Sequence, residues 1–182
     1  MKVVFGLRFI LVVGYLMLPV SDAIAREPAL DAQSFDGNFL GMHFYADRLG
    51  IVLDVSESMG KELPALRAAL KKELPRAPML QVDGCALEEP EPRAETRIAR
   101  GMSPDTVTAV KALGEHAGVD AVLWICDMGD PPNRYGVEAM AEVLAARGIR
   151  LYLISVASKP GPNVRKMVDG SDGGWLMAVP ES

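Results

Sequence analysis

"LGIVLDVSESMGKELPALRAALKKEL" (residues 49–74) decides the fold. Its first seven residues are a short apolar run of strand length, interrupted only by Asp54. Its second half sets Leu63, Leu66, Leu70 and Leu74 at helical spacing, with the lysines on the opposite side. A strand apolar along its whole length is buried on both faces, and the helix behind it has one face to bury. The turn between them carries Asp54, Ser56 and Ser58 at alternating positions.

The pattern repeats down the chain. "PMLQV" (78–82), "VDAVLWICD" (119–127), "IRLYLISV" (149–156) and "WLMAV" (175–179) read as further strands. "SPDTVTAVKALGEHAG" (103–118), "YGVEAMAEVLAARG" (135–148) and "GPNVRKMVDG" (161–170) read as helices, the first capped by Ser103 with Pro104 in its first turn, the second closed by Gly148. Apolar strands alternating with amphipathic helices predict a doubly wound α/β domain, a mainly parallel sheet of about five or six strands flanked by helices. "NFLGMHFYADR" (38–48) is expected to be a short edge strand or a flap over the core, and "DGCALEEPEPRAETRIAR" (83–100) a long surface excursion.

In such sheets ligands sit beyond the carboxyl ends of the strands, where the strand order reverses. Those ends hold Asp54, Ser56 and Ser58, then Asp127 and Asp130, while Ser103 and Thr106 stand at the start of the intervening helix. Carboxylates and hydroxyls without His or Cys make a hard-oxygen set, suited to Mg²⁺, Mn²⁺ or Ca²⁺ and poor for zinc. Helix capping is the competing reading of the two serines. Asp130, before "PPN", reads as a turn residue.

"DVSES" at 54–58, directly after a strand, with "ICDMGD" at the end of a later strand, resembles the von Willebrand factor type A (vWA) domain and its metal-ion-dependent adhesion site (MIDAS). The resemblance runs from about Leu49 to near the C-terminus. It implies that Asp54, Ser56, Ser58 and Asp127 hold a divalent cation directly or through water, joined by a hydroxyl that is either Ser103 or Thr106. It further implies a Rossmann-like vWA fold in a binding module, whose cation is completed by an acidic residue of a protein partner. Glu57 stands where family members often have glycine and sets another carboxylate beside the site.

Lys2 and Arg8, the apolar stretch "FILVVGYLMLPV" (9–20) and "AIA" (23–25) form the pattern of a signal peptide cleaved after Ala25. The apolar stretch falls short of the ~20 residues of a membrane span, so no span is expected in the mature chain. An uncleaved N-terminal anchor is the alternative to a periplasmic or secreted chain. The expected organisation is a signal peptide over 1–25, a leader over 26–37 and the vWA-like domain over 38–182.

With 24 acidic and 19 basic residues and a net charge of −5, the chain offers no basic patch for nucleic acid or anionic lipid. Cys85 and Cys126 are its two cysteines. An oxidising compartment permits a disulfide, but Cys126 ends a wholly apolar run and reads as a small buried hydrophobe, so two thiols are expected. His43 and His116 lack an acid or nucleophile at motif spacing, which leaves no Ser-His-Asp or Cys-His arrangement and argues against an enzyme. The rival functions are Mg²⁺-dependent phosphoryl transfer with Asp54 as nucleophile or ligand, and a vWA-like scaffold without metal. The first lacks a second acid two residues on and any Gly-rich phosphate loop. Arg134, Tyr135 and Lys159, in loops on the same side as the site, are expected to rim a partner surface.

Overall fold

A computed structural model of the chain describes residues 33–85, 87, 105–129 and 134–178. The signal-peptide reading, Ser103, Asp130 and most of the 83–100 excursion lie outside the described residues.

The elements run β1 (Gln33–Phe39), β2 (Met42–Asp54), a 3₁₀ turn (Glu57–Met59), α1 (Leu63–Glu73), β3 (Met79–Val82), α2 (Thr106–Ala112, prolonged by a π turn over Leu113–Ala117), β4 (Ala121–Cys126), α3 (Arg134–Arg147), β5 (Arg150–Ser155), α4 (Pro162–Gly170) and β6 (Gly174–Met177). The six strands form one open mixed sheet. β2 is bordered on one side by β4, then β5 and β6, and on the other by β1 along its first half and β3 along its last residues. Only β1 is antiparallel. The expected α/β class, with a mainly parallel sheet flanked by helices, is therefore observed.

Burial along β2 explains its double role. From Met42 it alternates buried and exposed, as a hairpin strand does with one wet face; from Leu49 to Asp54 every residue is buried, as in a strand covered on both faces. The shift coincides with the change of neighbour from β1 to β3 and β4.

The core lies in two layers. On one face α2, α3 and α4 bring Val107, Val110, Met140, Leu144, Met167 and Val168 onto Val52, Val122, Trp124 and Leu153. On the other, α1 brings Leu66, Leu70 and Leu74 onto Ile51, Leu53, Leu123 and Ile154. Each such leucine removed from water contributes about 1.5–3 kcal/mol.

The hairpin shares α1's face. Leu40 (φ 51°) and Gly41 (φ 92°) make a two-residue turn with both φ positive, which matches the twist of the strands it joins. The hairpin then curls over the sheet: Phe44 stacks on Tyr152 with ring centroids 4.7 Å apart, the Tyr152 hydroxyl donates to the Tyr45 carbonyl at 3.3 Å, and Gly41 lies against the Leu176 side chain. The anticipated edge strand and flap are one element.

Two boundaries differ from expectation. Residues 33–37, expected within a leader, are the start of β1, where polar side chains face water and Phe35 and Phe39 turn inward; the exposed face hides the strand from hydropathy. α2 begins at Thr106 rather than near Ser103, because Asp105 caps it: its carboxylate accepts from the Thr108 N–H at 2.9 Å and from the Thr108 hydroxyl at 2.6 Å.

Candidate metal centre

Asp54 ends β2 and Asp127 follows the last residue of β4. These strands are parallel neighbours in register at Leu53 and Ile125, so both carboxylates leave the sheet at the same end. Both are buried. Cys85 joins them from the turn after β3, the strand on the other side of β2. A carboxylate oxygen from each aspartate and the Cys85 sulfur lie within 4.8 Å of one another. At an effective dielectric constant of 20, two carboxylate charges that close repel by about 3–4 kcal/mol. Among the described residues no lysine or arginine pairs with either.

Backbone N–H groups fix both acids. Asp54 Oδ1 accepts from Ser56 at 2.8 Å and from Gly84 at 3.0 Å. Asp54 Oδ2 is buried and has no hydrogen-bond partner among the described residues. Asp127 Oδ1 accepts from Gly129 at 2.8 Å and from the Cys85 thiol at 3.7 Å. That turn requires Met128 at φ 58°, a left-handed conformation costing a non-glycine residue about 1–2 kcal/mol. Strain of this kind collects at functional sites. Burial pushes the Asp127 carboxyl up, but hydrogen bonds from the Ser58 hydroxyl, the Gly129 N–H and Cys85 outweigh it and hold Asp127 below its ordinary value.

Ser58, exposed on the 3₁₀ turn, thus reaches Asp127, and its hydroxyl lies 3.1 Å from that of Ser56. Met59 anchors this turn in the core beneath α1. Glu57 points to solvent and is no part of the buried cluster. Thr106 is wholly buried at the head of α2, and its hydroxyl has no partner among the described residues. α2 packs on the ends of β2 and β3 through Val107 and Val110. Leaving such a buried polar atom unpaired costs about 1–3 kcal/mol.

Cys85, which was not among the hard-oxygen residues expected from sequence, brings a soft donor beside the two carboxylates. Its signal was present: "QVDGC" (81–85) is itself a strand end, subject to the rule that singled out Asp54 and Asp127. No disulfide joins Cys85 to Cys126; both are buried thiols, and burial, with Cys85 beside it, pushes the Cys126 thiol well up.

Away from the cluster, a groove of about 1010 Å³ between α3 and α4 is lined by none of these residues. Its Arg134 and Arg150 are spent on Glu138 and Asp120. Tyr135 is exposed, and Lys159 and Arg165 flank the Trp175 ring at 5.6 and 5.4 Å. Among the described residues no helix is long and apolar enough to cross a membrane.

No protein-family model matches the chain, and no curated protein is significantly similar to it.

Proposed function

We propose that this chain is an exported, doubly wound vWA-like binding module that holds a divalent cation between Asp54 and Asp127 and uses it to bind a protein partner. The observation that carries the reading is the pair of buried carboxylates at adjacent strand ends, one with an oxygen, Asp54 Oδ2, that nothing in the described protein satisfies. A cation removes the repulsion and fills the empty acceptor in one step. Ser56 and Ser58 stand beside it, and Thr106, with its unpaired hydroxyl, completes the set. A vacant coordination position then takes an acidic side chain of the partner.

Binding rather than turnover is favoured by the second position after Asp54. Phosphoryl transfer from an aspartate wants a second acid there, and Ser56 instead shares its hydroxyl with Ser58. The test is affinity capture of partners by the full chain, with and without chelator, alongside calorimetry with divalent ions. Partner binding that disappears with chelator and with Asp54→Ala bears the reading out. Partner binding indifferent to both leaves a metal-free scaffold, and Asp54-dependent phosphatase turnover replaces adhesion with catalysis.

A further inference from the structure

We propose that Cys85 is a third protein ligand of the cation at Asp54 and Asp127, and that the site prefers a thiophilic divalent ion, Zn²⁺, over Mg²⁺. This rests on the cation reading above and names the ion class.

The sulfur has the right spacing. Zn–S bonds of about 2.3 Å and Zn–O bonds of about 2.0–2.2 Å in a tetrahedron put the sulfur roughly 3.5 Å from a neighbouring oxygen. Cys85 Sγ lies 3.7 Å from Asp127 Oδ1, and the three donors lie within 4.8 Å of one another.

The position is also built. Gly84, at φ +100°, turns the chain so that its N–H reaches Asp54 Oδ1 while the next residue's side chain enters the cluster. On the far side of Cys85, the Leu87 carbonyl occupies the place where a side chain on Gly136 of α3 would begin, 1.8 Å from an ideal Cβ. Only glycine at 136 lets the Leu87 backbone, two residues beyond Cys85, lie so close to α3.

An independent observation asks for a ligand. Asp54 is wholly buried, and its Oδ2 has no partner among the described residues although Oδ1 of the same carboxylate has two. A thiolate beside two carboxylates selects zinc-like ions, because soft sulfur gains little from Mg²⁺, which in any case prefers six oxygens. The thiol proton leaves to solvent as the sulfur binds, and the hydrogen bond it made to Asp127 is replaced by a shared cation. Two carboxylates and one thiolate leave a fourth tetrahedral position open, which the binding function needs, and the hydroxyls of Ser56, Ser58 and Thr106 then act from outside the coordination shell, on the groups that hold the ion.

The experiment is a Co²⁺ titration of the full, reduced chain, followed by Zn²⁺ and Mg²⁺ competition. Thiolate-to-cobalt charge-transfer absorption is expected, displaced by equimolar Zn²⁺ and untouched by a large excess of Mg²⁺. Cys85→Ser loses the absorption and weakens Zn²⁺ by more than about tenfold, the loss that removing even an outer-shell partner of a metal ligand can produce. Cys126→Ser keeps the absorption. Should Cys85→Ser fail to fold, the absorption in the unaltered chain still decides. Cobalt binding without the sulfur band, or Mg²⁺ competing on equal terms, overturns the role of Cys85 while Asp54-dependent Mg²⁺ binding keeps the cation reading. Binding of no ion removes both.

Discussion

Gly84 places its backbone N–H on Asp54 Oδ1 at 3.0 Å, on the oxygen that also takes the Ser56 N–H. The turn after β3 and the turn after β2 are therefore hung on one carboxylate. This separates two roles of Asp54 by substitution. Asp54→Asn keeps an oxygen for both N–H groups, whereas Asp54→Ala leaves both without an acceptor. In chelator, Asp54→Ala should be less stable than Asp54→Asn by about 2 kcal/mol. Asp54→Asn itself should match or exceed the unaltered chain, because it removes one of two facing charges. On adding Zn²⁺ the order reverses: the unaltered chain gains melting temperature by mass action and Asp54→Asn does not. Thermal denaturation of the three proteins, with and without ion, checks this. A large loss for Asp54→Asn in chelator would mean that the charge is compensated within the protein.

The buried hydroxyl of Thr106 yields a second sign change. Valine has nearly the same shape and no hydroxyl. Without ion, Thr106→Val should be neutral to stabilising, since an unpaired buried hydroxyl is removed at a cost in packing below about 1 kcal/mol. With ion, the same variant should bind more weakly than the parent by calorimetry, and Ser103→Ala should not. The reverse result would make Ser103 the hydroxyl of the site.

Burial holds the Cys126 thiol well above its ordinary value, and Cys85 is equally enclosed. Neither sulfur is open to reagent, so neither should be alkylated by iodoacetamide in the folded chain near neutral pH. Mass spectrometry should find no adduct under native conditions and two after denaturation in reductant. One native adduct would show that the site opens to solvent, and a missing pair after denaturation without reductant would reveal a disulfide.

What sequence made legible depended on which force the residues advertise. β4, "AVLWIC", is buried at every position and cannot be mistaken, and Leu66, Leu70 and Leu74 expose the inward stripe of α1. Asp54 and Asp127 stood out because a charge directly after such a run has few reasons to be there. β1 was hidden by its wet face, and its turn by Leu40, which takes a positive φ where Asn or Asp would have signalled a hairpin. Cys85 was overlooked because it opens a stretch rich in charge and proline that reads as a surface excursion; its neighbourhood is set by β3 lying beside β2, a pairing that strand patterns do not reveal. Asp105 took the cap assigned to Ser103, since either residue type serves and only the observed hydrogen bonds distinguish them.

The curled hairpin rests on Phe44, which lies between the rings of Phe35 at 4.6 Å and Tyr152 at 4.7 Å. It is buried, and truncation to alanine opens a cavity on α1's face of the sheet, so Phe44→Ala should cost about 3–5 kcal/mol. Tyr152→Phe removes only the hydroxyl that reaches the Tyr45 carbonyl and should cost less than about 1.5 kcal/mol. Hydrogen exchange adds a spatial readout that melting temperature lacks. In Phe44→Ala, amides of β1 and the first half of β2 should lose protection first, while β4 and β5, buried on both faces, exchange only by global unfolding. Ion binding should survive, because Asp54 is held by the second half of β2 and by Gly84 rather than by the hairpin. Loss of ion binding together with hairpin protection would instead mean that the curl over the sheet helps to shape the site.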